Sequence, residues 1–290
     1  MKAPSLLILG STGQLGSELV ALCARNAAWK TTAFSHKELE VTDPHAVEAA
    51  IEKHQPTVLF NCTAYNLVDG AEGDPYSAFA INAAAVTTMA RLCGKREIHF
   101  VHFSTDYVFD GRKQQPYSED DPPNPLNVYG LSKFAGEQAV RVLHPQHCII
   151  RTCGVFGLRP GSTGNYNFVE KILSRAADRS SIEVLATSVV SPTSASDLAL
   201  ATLHLIERNA VGTFHVANGG QCTWYEFARE IVRRTCPQVQ VVPLEAASNA
   251  AAARPAYSAL SSKKLLAQGI RPLPSWQDAL ATYLEQRPKG

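Results

Sequence analysis

Short apolar runs alternate with stretches of helical spacing along the first half of the chain. Leu6 to Leu9 is an unbroken apolar run, the pattern of a strand buried on both faces. Residues 17–25 follow with helical spacing. Residues 30–34, 57–60, 97–103 and 147–152 repeat the strand pattern. Between them, Thr42 or Asp43 is placed to cap a helix that begins with Pro44, and Asp74-Pro75 opens a long helix through about residue 93. Strands alternating with helices predict right-handed βαβ units: an α/β, Rossmann-type doubly wound parallel sheet. Residues 106–127, rich in Pro, Asp, Asn and Gly, form an unusually long connection, and such loops usually serve function.

The second half is more broken. A Gly/Pro loop at 154–164 leads to a helix at 165–177 and a strand at 181–185. Thr193 or Ser194 caps a helix at 194–208, and residues 212–216 form a strand. Thr223 and Glu226 have the spacing of a capping box for a helix at 224–235. An Ala-rich piece at 245–254 reads as irregular or weakly helical, and two short helices near 261–268 and 275–283 end the chain. The expected division is a cofactor-binding domain of residues 1–153 plus about 187–217. Residues of about 154–186 and 218–290 then make a smaller substrate-binding subdomain over the carboxyl edge of the sheet.

Candidate chemistry sits at the ends of the strands. Gly10, Gly13 and Gly16 lie between the first strand and the first helix. Glycines there permit a tight turn and bring backbone amides at a helix N-terminus close to a pyrophosphate. After the second strand, where an acid would bind a ribose 2′-hydroxyl, the chain reads Ser35-His36-Lys37 and has no acid until Glu38. That leans towards NADPH, with Ser35 and Lys37 either 2′-phosphate contacts or solvated loop residues. After the third strand, the small residues in Asn61-Cys62-Thr63-Ala64-Tyr65 let a cofactor lie close. Asn82, a polar residue among alanines, either holds that strand end or is merely capped and solvated.

Tyr129 and Lys133 are four residues apart, one helical turn, with Ser104 and Thr105 at the end of the preceding strand. A lysine ammonium beside a phenol lowers a pKa that starts near ~10. The pair is therefore expected to pass a proton, with the two hydroxyls hydrogen-bonding a substrate carbonyl.

Bulk composition excludes several classes. At 290 residues with net charge +1, neither nucleic acid nor an anionic membrane surface is an expected partner. No apolar run approaches the ~18 residues of a membrane helix. The N-terminal apolar run leads directly into the glycine turn without an A-x-A site, so it reads as a strand rather than a signal. Seven scattered cysteines without CxxC spacing read as buried free thiols and a cytoplasmic location. The nine histidines show no metal-ligand spacing, so no metal site is expected.

These stretches together resemble the dTDP-4-dehydrorhamnose reductase family of the extended short-chain dehydrogenases/reductases. The resemblance rests on GSTGQLGSEL at 10–19, VTDP at 41–44, NCTAYNLVDGAE at 61–72 and INA at 81–83. It continues with STDYVFDG at 104–111, PNPLNVYGLSKFAGE at 123–137, RT at 151–152, SPT at 191–193, TWYEFA at 223–228 and RP at 254–255. The resemblance implies Thr105, Tyr129 and Lys133 as the catalytic set. A reduced nicotinamide (NADPH, with NADH possible) would give hydride to C4 of a nucleotide-linked 4-keto-6-deoxysugar. Tyr129 would protonate the alkoxide, Thr105 polarise the ketone, and Lys133 bind the nicotinamide ribose and tune Tyr129. It further implies that Gly10, Gly13, Gln14, Leu15 and Gly16 meet the pyrophosphate and that Asp43, Ala64 and Tyr65 touch the cofactor. Val68, Asp106, Tyr107 and Arg254 fall on the substrate side. A monomer or homodimer follows. Glu18 matches a family glutamate sometimes tied to a magnesium-linked dimer, but its partner carboxylates are not identifiable in the sequence.

Two departures bear on the substrate. Gly154 stands where the family usually has a Trp that packs on the sugar, which is expected to open the pocket. Residues 186–190 replace the family's Asp-Gln-x-Gly. Two other readings remain. One is a non-catalytic regulatory subunit resembling the methionine adenosyltransferase beta subunit. The other is an epimerase or dehydratase, against which Asp106-Tyr107 stands where a dehydratase places an acid pair.

Overall fold

The computed structural model describes residues 4–26, 28–159, 167–245 and 251–287. In chain order the first half contains β1 (Ser5–Leu9), α1 (Gln14–Ala24), β2 (Lys30–Phe34), α2 (Pro44–His54), β3 (Val58–Asn61), α3 (Val68–Gly73), α4 (Pro75–Phe79), α5 (Val86–Lys95), β4 (His99–Thr105), α6 (Val128–Leu143) and β5 (His147–Thr152). The second half contains β6 (Val155–Phe156), α7 (Phe168–Ala177), β7 (Ser181–Leu185), β8 (Val189–Val190), β9 (Thr193–Ser194), α8 (Ala195–Glu207), β10 (Gly212–His215), β11 (Cys222–Thr223), α9 (Trp224–Thr235), β12 (Gln240–Leu244), α10 (Lys263–Ala267) and α11 (Trp276–Gln286).

Six strands form one parallel sheet in the order β10-β5-β4-β3-β1-β2. Successive residues of the central strands point to opposite faces, and both faces are covered. Ile8, Phe60, Val101 and Ile150 pack under α1 and α8, with Leu19 and Leu198. Leu7, Leu59, Phe100 and Ile149 pack under α2, α5 and α6, with Ile51, Met89 and Val140. Continuous apolar runs are therefore what these strands require. The chain runs from β1 outward to β2, then crosses to β3 on the other side of β1. That reversal leaves a crevice outside the carboxyl ends of β1 and β3, the usual ligand position of an open α/β sheet.

A second core joins α7, α9 and α11 to the β7–β12 pair through Ile172, Phe227, Ile231, Leu280 and Ile182. The expected capping box is present: Thr223 accepts from the Glu226 amide, and Glu226 accepts from the Thr223 amide. A smaller cluster of Val108, Phe109, Tyr117, Cys153, Val190 and Tyr257 ties the long 106–127 connection to the later half.

Several elements differ from the sequence pattern. The helix opened by Asp74-Pro75 is interrupted by a π-helical turn at Ala80–Ala85 around the fully buried Asn82. Helix α3 has only one buried residue, Ala71, so it leaves no periodic signal. Strands β6, β8, β9 and β11 are two residues long, too short for alternation to register. Residues 246–250 of the Ala-rich segment, 160–164 of the 154–164 loop and 165–166 at the start of the expected helix lie outside the described residues.

Candidate active site

The glycine turn follows directly from packing. Gly10 has φ +82°, and a Cβ there would lie 3.0 Å from the Cys62 carbonyl group. A Cβ on Gly16 would fall 2.1 Å from the Gly10 oxygen, so the first turn of α1 closes on the strand end only with glycine. Gly13 is the N-cap and brings no side chain to the first amides of α1, at Gln14, Leu15 and Gly16. An uncapped helix N-terminus at the sheet's reversal point fits a pyrophosphate. Leu15 packs against the core, and the side-chain oxygen of Gln14 is buried without a partner.

Around this turn the cofactor candidates divide. Cys62, Thr63, Ala64 and Tyr65 leave the end of β3 beside Gly10. Thr63 is held by Asn61, whose Oδ1 accepts from the Thr63 amide at 3.1 Å and its hydroxyl at 2.6 Å. Tyr65 is held by Asn82, which bonds both its amide and its carbonyl and reaches Ser132 on α6 at 3.0 Å. Asn82 is thus a strand-end clamp. Asp43 uses one carboxylate oxygen to cap α2, accepting from His45 and Ala46. At the end of β2 the Ser35 hydroxyl and amide both donate to Glu38 Oε2, at 2.6 and 2.8 Å. The acid the spacing placed too late is folded back onto Ser35, and these hydrogen bonds lower its pKa. Lys37 is exposed nearby.

At the ends of β4 and α6, Ser104, Thr105, Tyr129 and Lys133 converge. Strand β4 ends at Thr105, as expected, and carries both hydroxyls to the sheet edge. Asn127 caps α6 through the Gly130 amide and binds the Ala253 carbonyl, fixing where Tyr129 starts. Gly130 allows the helix to close on this edge, since a Cβ there would sit 2.2 Å from the Tyr107 oxygen. Ser104 Oγ is buried without a partner. Tyr107 meets the Tyr129 ring edge-on with centroids 5.8 Å apart.

The charge state of Tyr129 differs from the one its spacing suggested. Lys133 is 1% exposed, and its ammonium donates to the Phe103 carbonyl at 2.6 Å, the acceptor its buried stem reaches. Burial lowers the Lys133 pKa to about 8, opposed by the Glu137 carboxylate one turn further on. The Tyr129 phenol is pushed up to about 12, chiefly by burial and further by Asp106 and Cys153, while a hydrogen bond with Thr105 pulls it down. The dominant effect on the phenol is upward, so Tyr129 stands in the site as a neutral acid.

The expected substrate-side residues are also partly engaged. Asp106 is 3% exposed, with both carboxylate oxygens taken by Thr105, Cys153 and Ser258. Arg254 pairs with Asp69 at 2.7 Å and also interacts with Tyr107. Val68 begins α3 at half-burial. Gly154 has φ +52°, and a Cβ there would meet Trp224 Cη2 at 3.0 Å. The space expected to stand open beside Gly154 is therefore occupied by the indole of Trp224. Residues 189–190 of the altered stretch form β8, which pairs with β11 just before that tryptophan.

Cys153, Ser258, Asp69 and the Glu137–Arg151 pair were not singled out by the sequence. Glu137 was within reach, since it continues the four-residue spacing of Tyr129 and Lys133. It is fully buried and doubly bonded to Arg151 at 2.8 and 2.7 Å. Glu18 lines a cavity of about 140 Å³ with Asp197 and Asp278. Among the described residues no group of His, Cys, Asp or Glu is arranged to hold a metal ion. No helix among them is long and apolar enough to cross a membrane.

The profile of the family described as "RmlD substrate binding domain" matches residues 4–288. The chain belongs to the RmlD substrate-binding-domain family. Among RmlD-family relatives, the chain is 38% identical over 290 residues to a dTDP-4-dehydrorhamnose reductase of Mycobacterium tuberculosis, covering 98% of this chain and 93% of the relative. It is 39% identical over 278 residues to a probable dTDP-4,6-dihydroxy-2-methyloxan-3-one 4-ketoreductase of Streptomyces antibioticus, covering 94% and 92%. The crystal structure of dTDP-4-dehydrorhamnose reductase from Bacillus anthracis in complex with NADP superposes with a TM-score of 0.93 at 34% identity, covering 99% of this chain and all of that one.

Proposed function

We propose that this RmlD-family chain reduces the C4 ketone of a nucleotide-linked 4-keto-6-deoxysugar with NADPH, and accepts NADH. The observation that carries the reading is the convergence of Thr105, Tyr129 and Lys133 beside an uncapped glycine turn. Relatives of nearly full-length similarity are named as reductases of such sugars. Residues 1–153 with about 187–217 act as the cofactor half, and about 154–186 with 218–290 as the sugar half. Seven free thiols support a cytoplasmic setting.

When bound, the reduced nicotinamide supplies the hydride. The first amides of α1 would hold the pyrophosphate, and Lys37 would serve the adenosine ribose. Lys133, whose ammonium rests on the Phe103 carbonyl, would hold the nicotinamide ribose. Ser104 and Thr105 orient the ketone. Tyr129 donates its phenolic proton to the oxygen as charge develops there, so the O–H bond of the tyrosine breaks as the alcohol O–H forms. Val68, Tyr107 and Arg254 line the sugar side. The Trp224 indole supplies an apolar wall beside Gly154.

The test is cofactor oxidation with dTDP-4-keto-6-deoxy-L-mannose generated in situ. Oxidation that Tyr129→Phe abolishes, with cofactor affinity little changed, is the expected result. Retained turnover in Tyr129→Phe would overturn the mechanism. Cofactor binding without oxidation would redirect the search to another keto-sugar nucleotide.

A further inference from the structure

Asn61 ends β3 and lies opposite His102 of β4 in the register of the parallel pair. Both side chains are fully buried. Leu59 and Phe100, two residues earlier on each strand, mark this as the sheet face covered by α2, α5 and α6. Asn61 Oδ1 accepts from the Thr63 amide at 3.1 Å and from the Thr63 hydroxyl at 2.6 Å. On the other side of the carboxamide, Asn61 Nδ2 faces His102 Nδ1 at 3.2 Å. The Phe100 ring stacks beside the imidazole, with centroids 6.1 Å apart and planes at 22°.

The protons follow from the partners. A backbone amide only donates, so the atom that meets the Thr63 amide is the carboxamide oxygen. The Asn61 NH2 is then the group against His102, and Nδ1 of the imidazole is a bare acceptor. Burial, with the Lys133 ammonium second, holds the His102 pKa well below the ordinary histidine value, so the ring is neutral and its proton sits on Nε2. Nε2 has no hydrogen-bond partner among the described residues, so the one hydrogen bond of this ring there is the bond to Asn61. Turned over, the carboxamide would set its NH2 against the Thr63 amide, donor against donor, and its oxygen against the His102 lone pair.

What Asn61 holds lies against the glycine turn. A Cβ on Gly10 would fall 3.0 Å from the Cys62 carbonyl group and 3.1 Å from Thr63 Cγ2. Resting on the cofactor reading of that turn, we propose that His102 is a positioning residue for the cofactor: its Nδ1 lone pair holds the Asn61 carboxamide in the one orientation that grips Thr63 beside Gly10. Without the lone pair, Asn61 keeps Thr63 only by leaving its own NH2 buried and unpaired. Asn82 holds the other end of the same segment at Tyr65, so the two residues fix Thr63 and Tyr65 from opposite ends.

The experiment measures NADPH binding by fluorescence in three full-length variants, so it needs no turnover. His102→Asn sets a side-chain oxygen where Nδ1 stands, His102→Gln reaches only the place of Nε2, and His102→Leu offers no acceptor. His102→Asn is expected to bind NADPH within about twofold of the wild type, while His102→Gln and His102→Leu bind about tenfold more weakly, the equivalent of one buried group left unpaired. Thermal midpoints follow the same order. A packing role alone predicts the reverse order for Asn and Gln, because Gln is nearer to His in volume. In the wild-type chain, heteronuclear NMR of the imidazole nitrogens, with the His102 signals identified by their loss in His102→Asn, shows Nδ1 bare and Nε2 protonated. His102→Asn binding no better than His102→Gln, or a proton on Nδ1, would overturn the proposal. A wild-type chain that binds no NADPH is the failure of the cofactor reading instead, and the tautomer with the order of thermal midpoints then decides for or against the hold of His102 on Asn61.

Discussion

Asn82 grips the backbone of Tyr65 at both polar atoms: its Oδ1 accepts from the Tyr65 amide at 3.0 Å, and its Nδ2 donates to the Tyr65 carbonyl at 3.0 Å. The same Nδ2 reaches Ser132 on the helix that carries Tyr129. The side chain is placed for this by the π-helical turn at Ala80–Ala85, and such turns collect at functional sites. One residue thus links the segment beside the glycine turn to the helix of Tyr129 and Lys133.

Asn82→Ala leaves those backbone groups without their partner, at about 1–3 kcal/mol for each buried one. The expected result is a lower Tm and a cofactor KM raised roughly tenfold, with the sugar KM changed much less. Steady-state kinetics with each substrate varied separately checks it. A Tm loss with both KM values intact would reduce Asn82 to a structural role.

Burial depresses the Lys133 ammonium from 10.5 to about 8. The folded chain therefore releases this proton at lower pH than the unfolded chain. The Lys133 contribution to stability rises as pH climbs from about 8 towards the ordinary lysine value. Cofactor affinity runs the other way. If the ribose is held by the ammonium, binding weakens as pH rises through about 8. Fluorescence titration of reduced cofactor across that range checks it. Lys133→Met binds more weakly and loses this pH dependence.

Glu38 folds onto Ser35 where a 2′-phosphate would lie, while Lys37 offers a cation. Exposed charge effects of this kind are small. Glu38→Gln is expected to raise kcat/KM for NADPH relative to NADH by about two- to fivefold. Lys37→Ala moves the ratio the opposite way. Parallel kinetics with the two cofactors measures both, and an unchanged ratio in both variants would remove this loop from cofactor choice.

The sheet was legible because β1 and β3 are nearly continuous apolar runs, β4 and β5 have apolar centres, and helical spacing lies between them, a pattern that a parallel sheet covered on both faces enforces. The glycine turn and the Tyr129–Lys133 spacing were legible for a similar reason: each is fixed within one turn of backbone. What escaped depends on distant segments meeting. Ser258 touches Asp106 across 152 positions, and Arg254 meets Asp69 across 185, so no local period reports either pair. The direction of the Tyr129 pKa escaped too, because spacing shows which groups can be neighbours but not how far burial outweighs them.

Gly154 is the site where a departure from the family pattern was read as an empty space, and Trp224 occupies it. Two costs separate cleanly here. The positive φ penalises any L side chain by about 1–2 kcal/mol, and the 3.0 Å approach to the indole adds a steric cost. Gly154→Ala is therefore expected to lose more stability in the wild type than in a Trp224→Ala background, where only the backbone cost remains. The difference is the coupling energy of a double-mutant cycle, expected at about 0.5–3 kcal/mol. Chemical denaturation of the four chains measures it. If Trp224 also walls the sugar pocket, Trp224→Ala raises the sugar KM while the cofactor KM holds. Additive stabilities would show that the indole swings aside from residue 154, and would leave the pocket as open as the sequence suggested.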